Sequence, residues 1–313
     1  MLPLFYHDRL AALTLSRSRP IALWLAAALT SVGCAGPAPT TSTTSFSSTT
    51  ASHASTPPTT TARSSTPSAP NAPTANAVAQ GKALVEDIRR ASGGPLVTAF
   101  RSVEAKGTSV VSVGNTSRAL TIKVLYPNFY RQEETTAKGS KGTSVTFGLL
   151  NDVGWMIGAM LGGDGRSTDL DVQQRTYTRA SRQAMGAFLA GVNVPWLIDT
   201  GRYTATAGAA ITAGPDRGLL ILDLDGPDGR LGRLLVDPGT HLPQRLIQPP
   251  QPTGGAAASA DTVITYSDFQ PQAGLQLPHT ITKEYGPVRI QWRIQSYSVN
   301  PKLPTRLFSR RSR

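Results

Sequence analysis

The feature that most constrains this fold is a regular alternation of apolar and polar residues near the C-terminal end. It covers Val288, Arg289, Ile290, Gln291, Trp292, Arg293, Ile294 and Gln295. Successive side chains of a β-strand point to opposite faces of the sheet, so this segment predicts a strand with one apolar and one polar face. Such a strand is typical of an antiparallel sheet that other elements cover on one side only.

Strand signals of this kind recur along the chain after residue 96, and turn residues separate them. We predict strands at residues 97–107, 120–126, 129–135, 145–149, 203–211, 219–224, 233–236, 263–269, 277–284 and 288–295. Residues 139–142 predict a turn, and the Pro-, Gly- and Ala-rich residues 249–260 predict a loop.

Two segments predict helices. Apolar residues from Ala83 to Ala91 recur at helical spacing until Gly93 and Gly94 end the pattern, and residues 171–191 form a second helix before Pro195. The order of helix, strands, central helix and strands predicts an α+β fold. Its curved antiparallel sheet, an incomplete β-barrel, is wrapped around helices and preceded by a signal peptide and a disordered linker.

The N-terminal end has the order of a secretory signal peptide. Arg9, Arg17 and Arg19 precede an apolar run at residues 21–29, and small residues follow. The run is shorter than the ~20 apolar residues that a membrane-spanning helix needs. We therefore predict a signal peptide over residues 1–33.

Cys34 is the only cysteine, which excludes an intramolecular disulfide and a cysteine-cluster metal site. Residues 31–34 resemble a bacterial lipoprotein signal, in which cleavage leaves a lipidated cysteine, so we predict lipidation of Cys34. Ser31 stands where leucine is usual, and Ser31 and Gly33 also fit ordinary cleavage and a soluble periplasmic or secreted product. Ala35, rather than aspartate, resembles the Gram-negative signal for the periplasmic side of the outer membrane.

Residues 34–77 are dominated by Ser, Thr, Pro and Ala. A segment with so few large apolar residues cannot offset the entropy of ordering, so it predicts a disordered tether before one folded domain at 78–310. The net charge of +12 is compatible with an acidic partner. However, the basic residues are scattered and match no nucleic-acid motif, so we expect no nucleic-acid partner.

The sequence contains few candidates for catalysis. His241 and His279 each lie near a proline and have no metal-ligand spacing to another ligand residue. Residues 223–229 resemble a calcium loop only weakly, because Pro227 interrupts them, and a hairpin turn is the preferred interpretation. Nucleophile-elbow, phosphate-loop and dinucleotide motifs are lacking. We therefore predict a protein that is not an enzyme, with no catalytic residues, metal or cofactor.

Several large residues could either fill the core or line an apolar cavity. They are Trp155, Met156, Met160, Trp196 and Trp292. A curved sheet that is closed by helices leaves space of the kind in which apolar ligands bind. Both interpretations remain open on the residues alone.

Four motifs in order resemble the LolA/LolB-like lipoprotein-carrier superfamily of outer-membrane lipoprotein-sorting proteins. They are the aromatic Pro-Asn segment at 126–131, Gly154-Trp155, the Val-Asp-Pro segment at 236–243, and residues 266–278 with the later Val299-Asn300 and Leu307-Phe308. The resemblance implies an incomplete antiparallel barrel with an apolar cavity. That cavity would bind acyl chains of lipid or lipidated proteins without covalent chemistry.

Applied to this chain, the resemblance implies a hydrophobic ligand cavity lined by Ile122, Val124, Phe129, Trp155, Ile290 and Trp292. The soluble carriers have an arginine just before the Pro-Asn pair, where this chain has Tyr126, so their handover mechanism is not carried over. The expected partners are acyl chains and, through the lipid on Cys34, a membrane. The alternative is an envelope structural or interaction domain with a filled core and no ligand.

Overall fold

The computed structural model describes residues 73–136, 144–157, 170–250, 252–253, 256–257 and 261–310. The predicted signal peptide, Cys34, the tether up to residue 72 and the turn at 139–142 lie outside the described residues. The first helix begins at Ala75, three residues before the predicted start of the domain. Its N-terminus is capped by Thr74, whose side-chain oxygen accepts a hydrogen bond from the N–H of Ala77 at 3.2 Å.

The described helices are α1 Ala75–Ser92, α2 Pro95–Thr98, α3 Leu170–Val192 and α4 Val194–Asp199, with 3₁₀ turns at Val113–Asn115 and Thr305–Phe308. In α1, Leu84, Val85 and Ile88 are buried at helical spacing, which confirms the predicted amphipathic helix. Within the described residues, no helix combines the length and the apolar character that crossing a bilayer requires.

The described strands are β1 Ser102–Val111, β2 Thr116–Leu125, β3 Phe129–Thr136, β4 Ser144–Leu150, β5 Val153–Ile157, β6 Thr204–Ala207, β7 Leu220–Gly226, β8 Gly229–Val236, β9 Pro243–Gln248, β10 Pro252–Thr253, β11 Ala256–Ala257, β12 Thr262–Gln272, β13 Leu275–Tyr285 and β14 Val288–Val299. All of these except β10 and β11 form one sheet, in the order β5-β4-β3-β2-β1-β14-β13-β12-β9-β8-β7-β6. Its neighbouring strands are antiparallel throughout.

Pairing of the first strand with the last joins the two halves of the sheet. Val103 of β1 lies opposite Val124 of β2 and Val299 of β14. Ile290, Trp292 and Ile294 are buried, which confirms the apolar face of the C-terminal strand. We call the face that carries these side chains the inner face.

The sheet is open, because β5 and β6 lie at its two edges, and it curves around the helices. Helix α3 contacts β4 and β5 at one edge and β8 and β9 in the other half, while α1 contacts β6. One helix can reach both halves only if the sheet bends around it. The structure therefore confirms the predicted fold class, a curved antiparallel sheet wrapped around helices.

Glycines let helices lie against both sheet edges. A Cβ atom on Gly154 of β5 would lie 2.4 Å from the backbone of Thr178 in α3, and one on Gly81 of α1 would lie 2.6 Å from Ala205 O in β6. The Gly154 N–H also donates to Thr178 Oγ1 at 3.0 Å. The helices thus cover edges that would otherwise be free to pair with other strands.

Several local predictions differ from the structure. Residues 97 and 98, which were predicted as the start of a strand, belong to α2. Residues 194–199 form α4 beyond the predicted break. In both cases a proline, Pro95 or Pro195, lies at the start of a short helix, where proline is well tolerated. Strand β9 was not predicted, and the predicted loop at 249–260 contains the short pair β10 and β11.

Candidate functional site

The structure places four of the six predicted lining residues on the inner face. Ile122, Val124, Ile290 and Trp292 are buried within one hydrophobic core. Helices α1, α3 and α4 contribute to the same core through residues such as Ile88. These four positions are therefore packed against protein side chains in the structure.

Phe129 and Trp155 lie on the opposite, outer face. Tyr130 lies opposite Val124 and therefore shares the inner face with it. Phe129 is the next residue along the strand, so the alternation of side chains directs it outward. The Phe129 ring lies 5.6 Å from that of Phe308, and Trp155 Nε1 donates to Phe308 O at 2.8 Å. The structure does not bring these two residues together with the inner-face set.

A half-open cleft of about 220 Å³ lies at one end of the curved sheet. Its lining residues are Val97, Thr98, Phe100, Arg101, Tyr126, Trp196 and Asp199. Its walls come from α2, α4 and the chain at the β1 and β2 ends. Val97, Phe100 and Trp196 also belong to the hydrophobic core, so the cleft and the interior share walls.

Aromatic rings form most of the apolar wall of this cleft. Tyr126 stacks on Trp196 with centroids 5.9 Å apart, and Phe100 meets Trp196 edge-on at 5.0 Å. The Arg101 guanidinium lies 5.7 Å from the centre of the Tyr126 ring. Tyr126 is therefore part of the wall and is approached by an arginine that directly precedes β1.

Polar contacts fix α4 over the cleft. Arg89 of α1 donates to both carboxylate oxygens of Asp199, at 3.1 and 2.9 Å, and to Thr98 Oγ1 at 3.0 Å. Hydrogen bonding to Asp199 is the main cause that raises the pKa of Arg89. Asn193 Oδ1 accepts from the N–H of Trp196 at 3.0 Å, and Asn193 Nδ2 donates to Val97 O at 3.3 Å. Arg89 and Asn193 thus connect α1, α2 and α4.

The Pro-Asn motif has a structural role near this end of the sheet. Asn128 Nδ2 donates to Asp152 Oδ2 at 3.2 Å, and Asp152 also accepts hydrogen bonds from Arg202. Arg182 of α3 lies 3.5 Å from Asp152 Oδ1. Hydrogen bonding to Arg202 is the main cause that lowers the pKa of Asp152. This network joins the β2–β3 and β4–β5 turns to α3.

The Val-Asp-Pro motif forms a turn between β8 and β9. Asp237 Oδ1 accepts from the N–H groups of Gly239 and Thr240 at 3.0 and 2.7 Å, and Oδ2 accepts from Gln244 Nε2 at 2.9 Å. The hydrogen bond from the Thr240 backbone contributes most to lowering the Asp237 pKa. The motif thus has a local structural explanation.

The remaining candidates make local contacts within the described residues. Residues 223–229 belong to the β7–β8 hairpin, and Asp223 pairs with Arg230 and Arg233. His279 Nδ1 lies 2.8 Å from Ile294 O. Over the described ranges, no group of three or more His, Cys, Asp or Glu side chains is placed to hold a metal ion.

No protein-family model and no curated protein matches this chain. Solved structures do match. One, from Vibrio parahaemolyticus, is described as an outer membrane lipoprotein-sorting protein domain, with 9% identity, a TM-score of 0.42, and coverage of 72% of this chain and 95% of that one.

Two further structures are a LolA superfamily protein from Nitrosomonas europaea and a DUF1329 family protein from Desulfovibrio piger. The former has 14% identity, a TM-score of 0.43, and coverage of 73% of this chain and 97% of that one. The latter has 10% identity, a TM-score of 0.44, and coverage of 74% and 97%.

Proposed function

We propose that this protein is an envelope lipoprotein that binds an acyl chain of a lipid or lipidated protein within its curved sheet, without covalent chemistry. The observation that carries this proposal is the aromatic cleft, whose walls are shared with the core. Phe100 and Trp196 belong to both the cleft lining and the hydrophobic core. An acyl chain that replaced side-chain contacts in the core next to the cleft would lie along Ile122, Val124, Ile290 and Trp292.

Binding and release require the helices to move, because the four inner-face residues are packed in the core. The contacts that fix α4 include the Arg89–Asp199 pair, in which the Asp199 side chain is 45% exposed. The Arg89 side chain is 16% exposed. A partly exposed ion pair contributes on the order of 1 kcal/mol, so breaking this pair is a small barrier to opening. Apolar burial then supplies affinity at ~25 cal/mol per Å².

The N-terminal residues complete the proposal. We place the protein on the periplasmic side of the outer membrane, with residues 1–33 removed, Cys34 lipidated and residues 34–77 acting as a tether. The motif at 31–34 and the single cysteine support this assignment. Mass spectrometry of the mature N-terminus tests it: a lipid-modified Cys34 is expected, while a mature chain that begins elsewhere or carries a free thiol contradicts it.

A second candidate function is an envelope interaction domain without a ligand. The packing of the inner face against the helices favours it, since the four predicted lining residues on that face are buried by the protein's own side chains. In that case the aromatic cleft is only a surface depression. The two candidates differ in whether a folded sample takes up an acyl chain.

Titration with a fluorescent fatty acid, using the full chain, separates these candidates. We expect saturable binding. Thr98→Trp should weaken it about tenfold, because filling the cleft would remove contacts equivalent to about 55 Å² of apolar burial. Thr135→Trp, at an exposed β3 position, is the matched control and should bind like the wild type. A folded protein without saturable binding would support the interaction domain.

A further inference from the structure

A row of side chains across the inner face carries polar atoms that the fold leaves unpaired. Each of these atoms is buried and has no hydrogen-bond partner among the residues that the structure describes: Trp292 Nε1, Ser109 Oγ, Arg118 Nε and Nη1, and Thr136 Oγ1. Buried polar groups are nearly always paired, since burial without a partner costs free energy. A concentration of unpaired atoms in one place therefore requires a physical explanation.

Strand register brings these four residues together. Ser109 of β1 lies directly opposite Trp292 of β14 and Arg118 of β2, and Arg118 lies opposite Thr136 of β3. Directly paired residues share a face of the sheet. With neighbouring strands about 4.8 Å apart, the row is roughly 14 Å wide. An indole, a hydroxyl, a guanidinium and a second hydroxyl follow one another across it.

The row also has a surplus of positive charge. Arg118, which is 9% exposed, has its Nη1 atom 3.8 Å from Glu134 Oε2, beyond hydrogen-bond distance. Lys283 lies diagonally across the β13–β14 pair, with its Nζ atom 3.8 Å from the centre of the Trp292 ring. Arg118 is buried, whereas Lys283 is partly exposed. The two cations outnumber the carboxylate of Glu134, and a surplus charge that is withdrawn from water is favourable only with a counter-charge.

One carboxylate oxygen of Glu134 is already engaged by a neutral group. Its Oε1 atom accepts from Gln132 Nε2 at 2.8 Å, and Gln132 Oε1 accepts from the Tyr130 hydroxyl at 2.7 Å. This chain of hydrogen bonds fixes the position of the carboxylate beside Arg118. The unpaired donors of Arg118 consequently remain available to a ligand that brings acceptor oxygens.

We propose that this row binds the anionic headgroup, a phosphate or carboxylate, of the amphiphile whose acyl chain the interior takes. The proposal rests on the proposed function. Ser109 lies seven residues along β1 from Ser102, which is about 23 Å at the rise of a strand. The apolar inner face occupies that distance, so the headgroup would lie at the row and the tail would extend toward the aromatic cleft.

The test compares cis-parinaric acid with its methyl ester, which has the same chain but no charge, in titrations of the full-length protein. We expect the acid to bind at least about tenfold more tightly, since hydrogen bonds to a charged group are the strong ones. Ser109→Ala and the double variant Arg118→Met/Glu134→Gln should abolish that preference. The double variant removes both charges together, so that no buried carboxylate is left without its partner.

Ser92→Ala, which also removes a buried serine hydroxyl but lies at the end of α1, is the matched control and should keep the preference. Equal binding of acid and ester by every folded variant would overturn the headgroup site while leaving acyl binding intact. Binding of neither probe would contradict the proposed function itself. Inorganic phosphate alone gives a further outcome. If it protects the wild type but not the double variant against thermal unfolding, and if it displaces no probe, then the row binds a free anion. The headgroup assignment would in that case be wrong.

Discussion

The ring of Tyr126 stacks on that of Trp196, with centroids 5.9 Å apart and planes 20° apart. Tyr126 belongs to the turn after β2, and Trp196 belongs to α4, so this contact connects the sheet to the helix that covers the cleft. Trp196 is buried, whereas Tyr126 is 37% exposed. The stack is therefore a part of the cleft wall that can be changed with limited damage to the core.

Tyr126→Ala should lower the free energy of unfolding by about 1 kcal/mol, because aromatic pairs contribute roughly 0.5–1.5 kcal/mol beyond their buried area. Urea denaturation followed by tryptophan fluorescence measures this change. Tyr126→Phe keeps the ring and is the control, with stability close to that of the wild type. If alanine and phenylalanine variants were equally stable, the stack would not support α4.

Gly154→Ala should destabilise the fold by about 1–3 kcal/mol, as expected for overpacking. The new Cβ would lie 2.4 Å from the backbone of Thr178, so β5 and α3 would have to separate. Gly239→Ala is the matched control, since its Cβ would lie 3.4 Å from Asp237 Oδ1, an ordinary contact. Thermal unfolding of both variants checks the prediction, and equal midpoints would contradict direct packing of α3 on β5.

The Arg89–Asp199 pair should have a coupling energy below about 1 kcal/mol in a double-mutant cycle with Arg89→Met and Asp199→Asn, since Asp199 is substantially exposed to solvent. Loss of the pair should nevertheless increase opening of α4. Amide hydrogen exchange of residues 194–199 measures that opening and should become faster in Asp199→Asn. Unchanged exchange in this helix would mean that Asn193 and the core contacts alone hold it.

Burial lowers the pKa of Lys283 from 10.5 to about 8, while Glu134 acts in the opposite direction. Above about pH 8 the folded protein has lost this proton, but the unfolded chain keeps it until near pH 10.5. Unfolding then takes up a proton, so the Lys283 contribution to stability increases with pH across this window, by at most about 3 kcal/mol.

Burial raises the pKa of Tyr285 to about 12. Above about pH 10 the unfolded chain loses the Tyr285 proton before the folded protein does, so this residue makes stability fall with pH. The Lys283 contribution should therefore be measured between pH 8 and 10. Urea unfolding across this range should show a smaller rise with pH for Lys283→Met than for the wild type. Lys302→Met, at an exposed position, controls for the loss of one positive charge. Parallel curves for the wild type and Lys283→Met would mean that the Lys283 ammonium is solvated in the folded state.

The fold class could be predicted because long strands with one apolar face have a clear period of two, as β14 does. The short elements could not. Pro195 indicated the end of a helix, but in the structure it lies at the start of α4. Strand β9 begins with a proline and alternates poorly, and its assignment depends on pairing with β8 and β12. Tertiary contacts decided these cases, rather than local preference.

The candidate site was predictable only in part for a related reason. Phe129 and Tyr130 are adjacent aromatic residues, so the sequence does not indicate which of them faces the interior, and a shift of one residue exchanges the faces. Trp292 is distant in sequence from Ser109 and Arg118, and only the register of β14, β1 and β2 shows that the three form one row. The signal that could have identified Arg118 is its place in an alternating strand, at a position that points inward.

Photo-crosslinking with a fatty acid that carries a diazirine at the end of its chain tests the central claim most directly. The account predicts that peptide mass spectrometry of the full-length protein finds adducts on inner-face residues of β2 and β14, including Ile122, Val124 or Trp292, and that an excess of unlabelled fatty acid removes them. Adducts confined to exposed surface residues, or adducts that unlabelled fatty acid does not displace, would contradict an interior that accepts an acyl chain.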